Sequence, residues 1–166
     1  MKRPFSKRGY DLITAEINRL WNEERPMVLQ EVHDAALQGD RSENGAYIYG
    51  KQRMRLIDKR LRILRRNIKD VKVIDIDALP SSTIVSFGAW VTIEDENEKV
   101  ITLRLVDQEE SDPERMWVSV QSPMGRTLLG KEEGDDFVLQ LPKGNVEYEI
   151  LTVYYGPDPD KNGESV

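Results

Sequence analysis

Between Tyr47 and Val71 the positions Tyr47, Gly50, Met54, Ile57, Leu61, Leu64, Ile68 and Val71 step by alternating threes and fours. This spacing keeps one stripe of a helix turned toward a partner helix for about three heptads. Such a seam needs a cover, and the preceding segment supplies one. Tyr10, Ile13, Ile17, Leu20, Met27 or Val28, Val32 and Ala35 form a second amphipathic stripe across Lys7 to Gln38, with Ser6 suited to N-cap it and Gly39 to end it. The two stripes predict an antiparallel helical hairpin, a coiled coil whose arms reach roughly 45 Å at ~1.5 Å per residue. Pro26 falls inside the first arm and predicts a kink or irregularity near Glu23 to Arg25.

After Val73 the apolar period shortens to that of strands, and Leu79-Pro80-Ser81-Ser82 interrupts the chain. Ile84 to Glu94 and Val100 to Val106, joined by Asp95-Glu96-Asn97-Glu98, read as a β-hairpin. Met116 to Gln121 reads as a third strand, and Ser122-Pro123 as the cap and first turn of a short helix that stops at Gly130. Phe137 to Leu141 and Glu147 to Tyr155, around Pro142-Lys143-Gly144-Asn145, complete a sheet. The expected architecture is α+β: a helical hairpin over residues 1–75, a linker over 76–82, a small sheet domain over 83–156 and a flexible tail over 157–166.

Charge divides along the same line. Residues 1–75 carry 17 Lys and Arg against 11 Asp and Glu, and residues 76–166 carry 7 against 19. The basic module is the one suited to a polyanion. There is no cysteine and a single histidine, His33, which excludes thiolate catalysis, zinc–thiolate sites and a histidine-pair metalloprotease. No stretch approaches the roughly 20 apolar residues of a bilayer crossing, and the basic start lacks an apolar signal core, so the expected location is the cytoplasm. Trp90, Trp117 and Phe87 read as core residues.

The segment with most chemical content is Gly39-Asp40-Arg41-Ser42-Glu43-Asn44, between the two arms. Asp40 and Glu43 place two carboxylates three residues apart at the end of the projection. Hard oxygens of that kind suit Mg²⁺, which takes one or two protein carboxylates together with water and substrate phosphates. The same spacing is also a capping box that would open the second helix. Both roles are compatible, because a capping carboxylate keeps lone pairs for a metal.

Trp21-Asn22-Glu23-Glu24-Arg25-Pro26, Ala35-Ala36, the Gly39 to Asn44 loop, Arg55-Leu56-Ile57-Asp58-Lys59-Arg60, Phe87-Gly88-Ala89-Trp90-Val91 and Ser122-Pro123-Met124-Gly125-Arg126 together resemble the Gre family of bacterial transcript cleavage factors. The resemblance runs in order over residues 4 to 156. It implies a coiled coil that enters the secondary channel of RNA polymerase and an FKBP-like domain that docks at the channel rim. It also implies that Asp40 and Glu43, supported by Ser42 and Asn44, help hold a Mg²⁺ shared with the polymerase active site. The polymerase then cleaves backtracked RNA, and the factor is no enzyme by itself. Departures from the family pattern occur at Gln38 and at Gly45-Ala46.

Lys51 to Lys72 carries ten basic residues against Asp58 and Asp70. A solvated helix face is the ordinary explanation of a charge run, but the excess of one sign favours a polyanion. In the family such a patch contacts the 3′ segment of backtracked RNA, which the resemblance assigns here to Lys51, Arg53, Arg55, Lys59 and Arg60. Phosphate contacts of this kind are blind to base sequence and sensitive to salt. Ser122, Pro123, Met124 and Leu128 match the segment that meets the polymerase, with helix capping and core packing as their alternative roles. Two rival functions follow: a channel binder of the same architecture that provokes no cleavage, and a prolyl isomerase or chaperone suggested only by the implied FKBP-like fold. A monomer suits a finger that enters a channel.

Overall fold

The computed structural model describes residues 2–39 and 43–159. The chain forms two compact units, one from Gly9 to Asp70 and one that joins the residues up to Arg8 with those from Val71 onward. The architecture is α+β, a helical region followed by a curled sheet. No helix among the described residues is long and apolar enough to cross a membrane.

In the first unit, α1 (Lys7–Arg19) passes through a π-helical turn, Leu20–Glu24, into α2 (Arg25–Ala36), and α3 (Gly45–Asn67) returns alongside. The cross-links Glu31–Arg53, Arg25–Asp58 and Glu16–Arg60 run in opposite sequence directions, so the arms are antiparallel. Leu20, Val28, Val32, Ile57, Leu61 and Leu64 form the buried seam, with Ile13, Ile17, Tyr47 and Met54 packed against it. Each fully covered Leu or Val contributes about 1.5–3 kcal/mol. Gly50 lets the arms approach closely, since a Cβ there would lie 2.6 Å from Val32 Cγ2. The widened turn lies immediately before Pro26, whose ring nitrogen cannot donate one turn back, and it absorbs the irregularity expected there.

The seam ends earlier than its spacing suggests. α3 ends at Asn67, the following turn closes on Asp70 at a left-handed φ of 57°, and Val71 opens strand β2 (Val71–Ile74). This strand pairs in parallel with β1 (Arg3–Ser6), in register from Arg3 with Val71 to Ser6 with Ile74. Residues 1–75 are therefore not one module, because the ends of that stretch belong to the second unit and the hairpin is inserted between its two paired strands.

The larger sheet has the order β5–β4–β3–β7–β6, from β3 (Trp90–Asp95), β4 (Val100–Val106), β5 (Trp117–Ser119), β6 (Asp136–Leu141) and β7 (Gly144–Tyr154). Only the β4–β5 pair is parallel. The core gathers Val91, Ile93, Leu103, Leu105, Leu139 and Ile150 under α4 (Pro123–Leu128), which adds Leu128. β3 starts later than its apolar run suggests, because Phe87-Gly88 makes a turn before it. Gly88 sits at a φ of 88°, and a Cβ there would meet Leu79 Cδ1 at 2.7 Å.

Residues 76–82 are not a free linker. Ile76 is buried and Asp77 pairs with Arg104 at 3.0 Å. Arg104, only 3% exposed, also donates to the carbonyls of Ile76 (3.0 Å), Gly156 (3.2 Å) and Gly88 (3.3 Å), and its guanidinium lies 5.0 Å from the Trp90 ring and 5.6 Å from that of Trp117. This side chain ties the segment after β2, the Gly88 turn and the end of β7 to one point. Gly156 is buried as a result and belongs to the sheet unit with the residues before it.

β1 is held at its end by Glu110, which accepts from the Ser6 backbone N–H at 3.2 Å and from the Ser6 hydroxyl. Burial raises the Glu110 carboxyl above the ordinary Glu value, although the Ser6 hydrogen bonds oppose the shift. The folded chain thus holds this proton more tightly than the unfolded chain. The resulting stability is present in acid and is lost as pH rises through the elevated folded value. Glu110→Gln, neutral at every pH, should lose that dependence. In thermal melts the variant should gain on wild type as pH rises above the ordinary carboxylate range, and a difference that stays constant with pH would refute the assignment.

Candidate functional site

Asp40 and Ser42 lie outside the described residues; Glu43 and Asn44 do not. Glu43 precedes α3 in the turn and its side chain is exposed, without hydrogen bond or ion pair among the described residues. Gln38, Gly39, Glu43 and Asn44 line a depression of ≈ 290 Å³. The second helix opens on Asn44, whose Oδ1 accepts from the Tyr47 N–H at 3.1 Å while its Nδ2 donates to the Ala35 carbonyl at 2.5 Å. That amide both caps α3 and ties it to the end of α2. A capping box built on Asp40 and Glu43 is therefore not how this helix begins, and the Glu43 carboxylate stays available. An exposed, unpaired hard oxygen donor fits Mg²⁺ in kind. No group of three His, Asp or Glu side chains placed to hold a metal occurs among the described residues.

The basic helix divides into two flanks. Arg53 lies 2.8 Å from Glu31, and Arg60 binds Glu16 through two nitrogens at 2.8 and 3.0 Å, a contact that holds the Glu16 carboxyl below its usual range chiefly through the hydrogen bond. Both pairs are solvent-facing and worth at most about 1 kcal/mol, so either arginine can be drawn onto a phosphate. Lys51, Arg55 and Lys59 are different. They are exposed, carry no ion pair among the described residues, and continue at three- and four-residue steps into Arg62, Arg66 and Lys69. Residues near the turn and residues far from it thus share one cationic stripe, longer than the five positions the resemblance picks out.

In the second unit Ser122 caps α4. Its Oγ accepts from the Gly125 N–H at 3.0 Å and donates to the Ser119 carbonyl at 2.6 Å. A Cβ on Gly125 would sit 2.1 Å from that same carbonyl oxygen, so the close seat of α4 on β5 requires glycine. Pro123 is exposed and Met124 half-buried against the core, but Leu128 is wholly buried. Leu128 is a core residue and does not line a docking surface; of the two roles open to it, core packing is the one its burial leaves. Leu129, 40% exposed, is the neighbouring apolar side chain that reaches solvent.

Fold and site together define an α+β protein that contains a helical hairpin with an available carboxylate before its second arm and an unneutralised cationic stripe along that arm. Family models for the N-terminal part of transcription elongation factors and for the C-terminal part of GreA/GreB match residues 3–73 and 80–155. GreB of Yersinia pestis is 43% identical over 94% of this chain and 91% of its own length, and GreB of Pseudomonas aeruginosa is 40% identical over 95% and 98%. GreA of Nitratiruptor sp. is 41% identical over 94% of this chain and 95% of its own. The chain belongs to the GreA/GreB family of transcription elongation factors.

Proposed function

We propose that this elongation factor acts on RNA polymerase in the cytoplasm as a monomer, by carrying the turn of its hairpin into the secondary channel and stimulating the polymerase's own cleavage of backtracked RNA. The observation that carries the proposal is Glu43, an exposed carboxylate with no partner among the described residues, directly before the Asn44 that caps α3 and ties it to the end of α2. Asp40 and Glu43 would together hold Mg²⁺ shared with the polymerase centre. That ion would supply one half of two-metal phosphodiester chemistry, in which one ion activates water and another stabilises the leaving oxygen. Asn44 fixes the helix start behind the carboxylates, and Ser42 supports the turn.

The basic arm takes the extruded 3′ segment of the RNA, with Lys51, Arg55 and Lys59 directly available and Arg53 and Arg60 recruited from weak surface pairs. The sheet unit, FKBP-like in this reading, docks at the channel rim through Ser122, Pro123 and Met124. Because the bond-breaking centre belongs to the polymerase, the factor alone performs no reaction. Cleavage of a reconstituted backtracked complex should accelerate on adding the protein, most strongly where Mg²⁺ is scarce. Binding to polymerase without shortening of the transcript would replace this reading with that of a non-cleaving channel regulator.

A further inference from the structure

The π-helical turn brings Trp21 to the surface of the hairpin, where the indole is 47% exposed. Two guanidiniums lie over it, Arg25 at 5.0 Å and Arg65 at 5.1 Å from the ring centroid. They are held differently. Arg25 is anchored through Nε to Asp58 at 3.0 Å, which also neutralises the one acidic side chain bonded within this cluster. Arg65 is exposed, with no carboxylate partner among the described residues; Arg62 lies one turn before it and Arg66 beside it on α3, and Lys69 lies in the turn that follows the helix. An exposed indole on a fixed guanidinium, next to a movable one, thus borders the unneutralised end of the cationic stripe.

We infer that Trp21 is a stacking platform for a base of single-stranded RNA whose phosphates run along Arg62, Arg65, Arg66 and Lys69. The inference rests on the RNA-contacting reading of the basic arm and extends it to the part of α3 away from the turn. Its physical logic is that of single-strand recognition, an aromatic face for the base beside a groove of cations for the backbone. A cation–π contact at an exposed site is weaker than a base–aromatic stack, so a base displaces Arg65 from the ring and frees its guanidinium for a phosphate. Arg25 remains on Asp58 and keeps the indole oriented. Recognition is independent of base identity, because every base presents a π-face.

The test is binding of the full-length protein to a short fluorescein-labelled oligouridylate, by anisotropy across a salt titration. Trp21→Leu keeps apolar bulk without the π-face and should weaken binding by about fivefold or more, with little change in the slope of log affinity against log salt. Trp21→Phe should restore most of the loss. Arg62→Gln with Arg66→Gln should instead flatten that slope by about 0.7 for each phosphate contact removed. Wild-type affinity for W21L together with a steep salt slope would overturn the stacking role while leaving the basic arm as an RNA contact. No salt-sensitive binding by the wild type would overturn both. A W21L protein that binds the oligonucleotide normally but polymerase poorly would show that the indole meets protein, and would end the proposal. Equal melting temperatures of W21L and W21F separate loss of the π-face from loss of fold.

Discussion

Asp40→Asn is expected to reduce stimulated RNA cleavage by more than about a hundredfold, because removing a carboxylate proposed to bind the ion directly should exceed the 10–100-fold typical of an outer-shell change. Asparagine keeps the size and the capping ability of aspartate but brings no charge to a divalent cation. The structure sharpens this test. α3 is capped by Asn44, which also binds the Ala35 carbonyl, so the start of that helix has a side-chain cap of its own. Melting temperature and polymerase affinity should therefore be unchanged, and Glu43→Gln should behave alike. Extra Mg²⁺ should recover part of the lost rate. Wild-type stimulation by both variants would remove the carboxylates from the mechanism, whatever the protein's affinity for polymerase.

Arg104→Met is expected to destabilise the sheet unit by about 3–5 kcal/mol. Methionine approximates the length of the arginine and preserves much of the contact with Trp90 and Trp117. It leaves the carbonyls of Ile76, Gly88 and Gly156 without a donor from this side chain, in a place where Arg104 itself is 3% exposed. Asp77 is more than half exposed and rehydrates at little cost, so the loss is borne by the buried carbonyls. Arg104→Lys keeps the charge but cannot fork to several acceptors and should fall between. Urea unfolding followed by tryptophan fluorescence would measure the shift in midpoint. An R104M protein that unfolds at the wild-type midpoint would show that this tie is dispensable.

What the residues disclosed in advance depended on how local the deciding physics was. The seam from Tyr47 to Leu64 was legible because three- and four-residue spacing reports helix packing directly, and Pro26 announced the turn that precedes it. The strand β1 was not. Arg3 to Ser6 has no periodicity of its own, and the partner that makes it a strand lies on the far side of the hairpin in sequence. The same distant pairing took Val71 out of a heptad it fits perfectly well by spacing. Capping was ambiguous for another reason: aspartate, serine and asparagine all cap well, and what decides the start of α3 is the bond from the Tyr47 N–H to Asn44 Oδ1. The sign of the basic helix could be counted, but which of its cations are already paired depends on the register between two arms. Trp21 stood in a recognised block, yet its surroundings come from Arg25 and Arg65, forty residues apart on different helices.

The parallel pairing of β1 with β2 has a consequence for engineering. Because the pair is parallel, the chain leaves the sheet unit at the Ser6 end of β1 and re-enters it at the Val71 end of β2, opposite ends of a short ladder and roughly 11 Å apart at ~3.3 Å per residue and ~5 Å between strands. Residues Gly9 to Asp70 are in that sense a cassette, exchangeable for a crossover of about a dozen or more residues or for a hairpin of another length while the host keeps its own strands. A fragment cut at Val71, by contrast, would shed β1 and leave β2 with an open hydrogen-bonding edge, which makes excision of the insert the sounder way to obtain the host alone.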